Sequence, residues 1–157
     1  MRQVNASVDA LIAAVSFGEL IRQLAAAEME MVLADPLFDL HAILEVTLPN
    51  HSRVQEFLRA QDQILLPAWA AVYERIAAAY QLELDPRYTW IDVAVLCNSL
   101  INGILTSARA AGGHVATLTN GDNILTGGIF TMLPALFGVE PAAAVTLYAR
   151  TAGQDTA

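Results

Sequence analysis

Lysine is absent from these 157 residues: the eight positive charges are all arginines, scattered singly, against sixteen acidic residues and a net charge of −8. No basic patch exists to follow a phosphate backbone, so nucleic-acid binding by this chain alone is not expected. Cysteine is nearly as scarce. Cys97 stands alone, which excludes an internal disulfide and, in an apolar mid-helix setting, reads first as a structural buried thiol. Sustained period-2 alternation is missing too, as is any Asn-Gly hairpin between β-branched runs, so strands are not expected. The first residues lack a basic segment followed by an apolar run, and no signal peptide is predicted. The two longest uncharged runs, 93–108 and 123–139, fall short of the roughly 20 apolar residues a membrane helix needs. A single cytoplasmic domain spanning 1–157, without a membrane span, is the expectation.

Metal and nucleophile signatures are equally thin. His41, His51 and His114 fall on different elements, and none has a His or acidic partner at i+3 or i+4 in a metal-binding pattern. No Gly-rich nucleophile elbow, dinucleotide fingerprint or phosphate-binding loop appears, so no catalytic residue, metal or cofactor is assigned. Gly127-Gly128 sits inside an apolar helical run and reads as a place where two helix backbones approach closely.

What is abundant is apolar helix. Hydrophobic residues make up 55% and charged ones 15%, against about 45–50% and about 25% in typical domains. Capping patterns and alanine-rich periodicity predict an all-α chain of about six or seven helices. Helices are expected at 7–15, 17–34, 37–46 and 53–80. Ser16 and Glu19 form a capping box for the second, Asp35-Pro36 ends it, and Ser52 with Gln55 caps the fourth. Pro67 falls inside that long fourth helix and should kink or break it. A short helix should begin at Pro141, and the tail from Gly153 should fray.

Two stretches organise the rest, 90–111 and 123–137. On a helical wheel Trp90, Ala94, Cys97, Ile101, Ile104, Leu105 and Ala108 share a broad face, with Asp92, Ser99, Thr106 and Arg109 opposite. One protomer needs less apolar face than these helices offer, and a second copy is the economical destination for the surplus. The expected dimer seam is Ile101, Ile104, Leu105 and Ala108 with Ile124, Gly128, Ile129, Met132 and Leu136. Beside it, a small-molecule pocket is expected between helices. Trp69 and Tyr73, one turn apart after Pro67, are candidates to line it. Asn98 and Asn102 are candidates either for ligand contact or for a cross-dimer or intrahelical hydrogen bond. Met29, Phe38 and His41 cluster near the Asp35-Pro36 corner and complete the candidate set.

The order of elements carries a resemblance. A helix ends in Ala34-Asp35-Pro36-Leu37-Phe38; a short helix and a long one follow. Next come a helix with Trp90-Ile91-Asp92-Val93-Ala94 and Leu100-Ile101-Asn102-Gly103-Ile104, a Gly-containing loop, and an apolar helix ending in Leu133-Pro134-Ala135-Leu136-Phe137-Gly138. This resembles the C-terminal regulatory domain of TetR-family transcriptional repressors. The resemblance implies a TetR-like bundle whose two apolar helices pair with their symmetry mates. It also implies a pocket between the long kinked helix, its neighbours and the organising helix, where an effector shifts the first helix. The family's three-helix DNA reader has no counterpart here, because only MRQVNA precedes Ser7. The expected role is therefore an effector-binding homodimer sensing an apolar or aromatic small molecule. The alternatives are a protein-interaction module without a small-molecule ligand, and a small helical enzyme working through His41 or Cys97.

Overall fold

A computed structural model describes residues 2–48 and 50–153, leaving aside the side chains at positions 2–5, 38, 39, 41, 42, 45 and 46. Its elements are α1 (Arg2–Ala14), α2 (Phe17–Ala34), α3 (Pro36–Thr47), α4 (Ser52–Ala79), α5 (Trp90–Ala110), α6 (Ile124–Leu136) and α7 (Ala144–Ala149). A 3-10 turn, Pro141–Ala143, leads into the last. The expected all-α class holds: 74% of the described residues are helical, and they contain two isolated β-bridges but no strand. Of the tail expected to fray, residues 154–157 lie outside the described residues.

Local chemistry sets most of the helix starts. Thr89 accepts from the Asp92 N–H at 3.2 Å while the Asp92 carboxylate accepts from the Thr89 N–H at 2.7 Å, a reciprocal capping box for α5. Ser16 caps α2 and Asn123 caps α6 through the N–H groups of Glu19 and Thr126. Ser52 does not cap α4; it is the first helical residue, and His51 holds the cap position without a side-chain bond. α1 begins at Arg2, ahead of the expected start at Ser7.

The prolines act differently. α4 runs through Pro67 as one helix, at an exposed position where water can serve the Gln63 carbonyl that loses its helical donor. Pro134 is buried within α6, so the Phe130 carbonyl four residues back cannot be left bare. The Tyr148 hydroxyl donates to it at 2.6 Å. Tyr148 reaches that position because α7 lies close on α2: a Cβ at Gly18 would sit 3.0 Å from both the Tyr148 Cβ and its carbonyl oxygen.

α5 packs chiefly on α4, and α2 crosses α5, α6 and α7. One core cluster joins Phe17, Leu20, Val72, Ile76, Tyr80, Leu133 and Leu147; another joins Ala25, Met29, Val32, Ile104, Leu105 and Leu125. The chain's end is tied back to the α1–α2 turn: the Arg150 carbonyl accepts from the Phe17 N–H at 2.8 Å, and its guanidinium donates to the Gln81 carbonyl at 2.8 Å.

The wheel of α5 was drawn correctly, since Ala94, Cys97, Ile104, Leu105 and Ala108 are buried. That face turns inward, however. Leu105 is 1% exposed, Ala108 3% and Leu136 3%, consumed by the protomer's own core before a second copy can use them. Gly127 and Gly128 admit side chains, not a backbone: they lie under Leu118 and Leu100. The expectation that α5 is too short for a membrane span also needs correcting. Its uncharged run is short, but the helix of 21 residues is long and apolar enough by length and composition, with 33% of its most apolar window buried here.

Candidate functional site

Between α2, the later half of α4, α5 and α6 lies a cavity of about 440 Å³, within the usual range of small-molecule sites, about 300–1,000 Å³. Its wall is built from helical spacing. Phe17, Ile21, Leu24 and Glu28 bring one face of α2; Trp69, Tyr73, Ile76 and Ala77 bring one face of α4. α5 adds Trp90, Val93, Cys97 and Ile101, and α6 adds Ile129, Met132, Leu133 and Leu136. Small side chains on the wall, Ala25 on α2 and Ala77 on α4, leave space that larger ones would fill. Exposed lining residues Ser7, Ala27 and Met31 mark where the cavity meets solvent, between α1 and α2.

Aromatic rings give the wall its stiffness. Trp69 and Tyr73 stack with centroids 5.8 Å apart and planes at 22°. Trp90 leans on Phe137 at 6.5 Å, and Phe137 meets Phe17 edge-on at 6.3 Å.

Three polar groups interrupt the apolar surface. The Tyr73 hydroxyl donates to the Cys97 sulfur, and Glu28 lies near enough to act on Tyr73 by its charge. Burial pushes the Cys97 thiol up to about 11, with the Tyr73 hydrogen bond opposing that rise. Tyr73 is held well above its ordinary value, first by burial and then by the charges of Cys97 and Glu28. Glu28 is raised by burial. At neutral pH Tyr73 and Cys97 are therefore uncharged, and Cys97 is a poor nucleophile. No described histidine lines the cavity, and no group of three or more metal-ligating side chains gathers among the described residues.

The candidate ligand residues divide. Trp69 and Tyr73 line the cavity. Asn98 is exposed on the outer stripe of α5, and Asn102 lies off the cavity wall. Met29 is 4% exposed and packs into the cluster with Ile104 and Leu125, and it is not among the residues that line the void. The side chains of Phe38 and His41 lie outside the described residues. Of the expected seam, Ile101, Ile129, Met132 and Leu136 line the cavity instead; Gly128 lies beneath Leu100, and Ile124 is 36% exposed. Residue-level reading passed over Glu28, although a signal was present. Leu20, Leu24 and Glu28 follow one another at i, i+4 on the buried stripe of α2, and a charge on that stripe needs a reason.

Comparisons with protein-family models, with curated proteins and with solved structures give no match.

Proposed function

We propose that this chain is an effector-binding domain that takes an apolar or aromatic small molecule into the cavity between α2, α4, α5 and α6. The observation that carries the reading is the cavity itself: about 440 Å³ of space in an all-α core, walled by stacked and tilted aromatic rings. Close-packed interiors rarely leave such a volume unfilled, and a concave, mostly apolar pocket of this size suits an apolar guest. α1 and α2 border the mouth, so a guest that contacts both biases how they sit against the bundle. The helix order supports placing the domain in a TetR-like transcriptional regulator of the cytoplasm, where such a shift is passed to a DNA reader.

A homodimer belongs to the same proposal, on surface other than the seam first drawn. Apolar residues left outside lie on α3, on the first half of α4 and on the outer stripe of α5. Examples are Leu40 at 50% exposure, Ile64 at 70% and Val95 at 42%. Asn98 shares that α5 stripe, a position suited to a hydrogen bond across the pair. The protein-interaction reading draws on the same surface and differs in its occupant. Light scattering separates them: a stable dimer of the isolated chain, dissociated by Val95→Asp or Ile64→Asp, supports the homodimer, and a soluble monomer supports a different partner.

Binding is tested with phenylnaphthylamine, a neutral aromatic probe, followed by its own fluorescence and by that of Trp69 and Trp90, the chain's two tryptophans. Saturable binding at one site per chain, weakened at least tenfold by Ala77→Phe, is expected. Absence of binding, or binding indifferent to the filled cavity, overturns the proposal.

A further inference from the structure

The cavity's polar corner says more about its guest than its volume does. Glu28 is half-buried on α2, one turn beyond Leu24 and one turn before Val32, next to Ala27 and Met31 at the cavity mouth. Its carboxylate has neither a hydrogen bond nor an ion pair from any described residue. Among the described arginines, Arg22 binds Asp122 at 2.9 Å, and Arg87 binds Asp85 at 2.9 Å. The same void is lined by Tyr73, which feels the Glu28 charge, by Cys97, neutral like Tyr73, and by Trp69 stacked on Tyr73; Trp90 lies farther along the wall, beside Phe137.

A carboxylate moved from water into apolar surroundings without a partner is costly. Aromatic faces beside it carry negative charge density and attract cations, not anions. An anionic guest meets repulsion from both. A neutral hydrocarbon fills the space but leaves the carboxylate bare. A cation with an apolar body satisfies the two together, its charge against Glu28 and the ring faces, its body along Leu24, Ile129 and Met132.

From this juxtaposition we infer that the cavity selects lipophilic cations, aromatic or aliphatic amines and quaternary ammonium compounds, with Glu28 as the counter-charge and the Trp69–Tyr73 pair as the aromatic groups beside the cationic head. The inference rests on the cavity's being a binding site, as proposed above, and names the class of its ligand. Tyr73 serves a second purpose here: its hydroxyl, donated to Cys97, ties the stacked Trp69–Tyr73 pair to α5.

The test uses two probes of matched shape. Naphthylmethyl-trimethylammonium carries a positive charge where neopentylnaphthalene carries a carbon atom. Each competes with phenylnaphthylamine on the whole chain at neutral pH. The cation is expected to bind at least tenfold more tightly than its neutral isostere, although the isostere is the more hydrophobic. In Glu28→Gln, checked for its fold by circular dichroism, the ratio of the two affinities is expected to fall at least tenfold. A cation that binds no tighter than the isostere in the native protein overturns the inference, and so does a ratio that survives Glu28→Gln. In either case the neutral probes still bind and the effector-site reading stands. If neither probe nor phenylnaphthylamine binds, the effector-site reading fails and this inference fails with it.

Discussion

The two halves of α4 read alike in sequence and behave differently in the molecule. Before Pro67, Val54, Phe57, Leu58, Ile64 and Leu65 recur at helical spacing; after it, Trp69, Val72, Ile76 and Ala79 do the same. The later half supplies Ala70, Val72, Ile76 and Ala77 to the core, each exposed by 5% or less, whereas in the earlier half Phe57, Ile64 and Leu65 are exposed by 42% or more. Periodicity states that a helix has an apolar face. What covers that face depends on which neighbours reach it, and here α2, α5 and α6 gather around the later half. The contrast locates both proposals: the cavity lies where the helix is surrounded, and the surplus apolar surface lies where it is not.

The sharpest way to break the contrast is to truncate one isoleucine in each half. Ile76→Ala is expected to cost about 2–5 kcal/mol, the usual range for a buried aliphatic side chain. Ile64→Ala in a monomer should stay within about 0.5 kcal/mol. Denaturant melts of both variants decide it, and similar costs would show that the earlier half is covered after all. A smaller effect is expected at Tyr148→Phe, which removes the donor to the Phe130 carbonyl freed by Pro134. Leaving a part-buried carbonyl without its partner should cost about 1–3 kcal/mol. An unchanged melting temperature would mean that water takes the donor's place.

The smallest effect concerns Glu28. Its carboxyl is raised above the ordinary value of 4.5 by burial. Between that value and its value in the fold, the native protein holds more protons than the unfolded chain. Glu28's contribution to stability is therefore complete below about 4.5 and is lost as pH rises through the folded value. Glu28→Gln should remove that loss. A pH profile of stability identical in the two proteins would place Glu28 in water.

Much of the fold was legible because helix signals are local. Thr89 with Asp92, Ser16 with Glu19, and Asp35-Pro36 each act within four residues, and the last two mark boundaries where they were expected. The site was legible in part. Trp69 and Tyr73, expected on a pocket wall from their place after Pro67, do line the cavity, on the same face as the later core residues of α4. Leu105 and Leu136, expected in a seam, are buried within the protomer, because a wheel shows that a face is buried and not by what. The same ambiguity sent Asn98 inward, although its exposed neighbours Val95 and Ser99 lie on the outer stripe. Met29 and Met31 show the limit most plainly, since two residues along α2 separate a core side chain from one at the cavity mouth.

Hydrogen exchange measured with and without a saturating aromatic cation tests the central claim most directly. Added protection is expected in the later half of α4 and in α5 and α6, whose side chains wall the cavity, with residues 52–66 unchanged. Protection confined to 52–66 and α3, with the cavity helices unaffected, would put the guest on the exposed apolar surface and contradict the account.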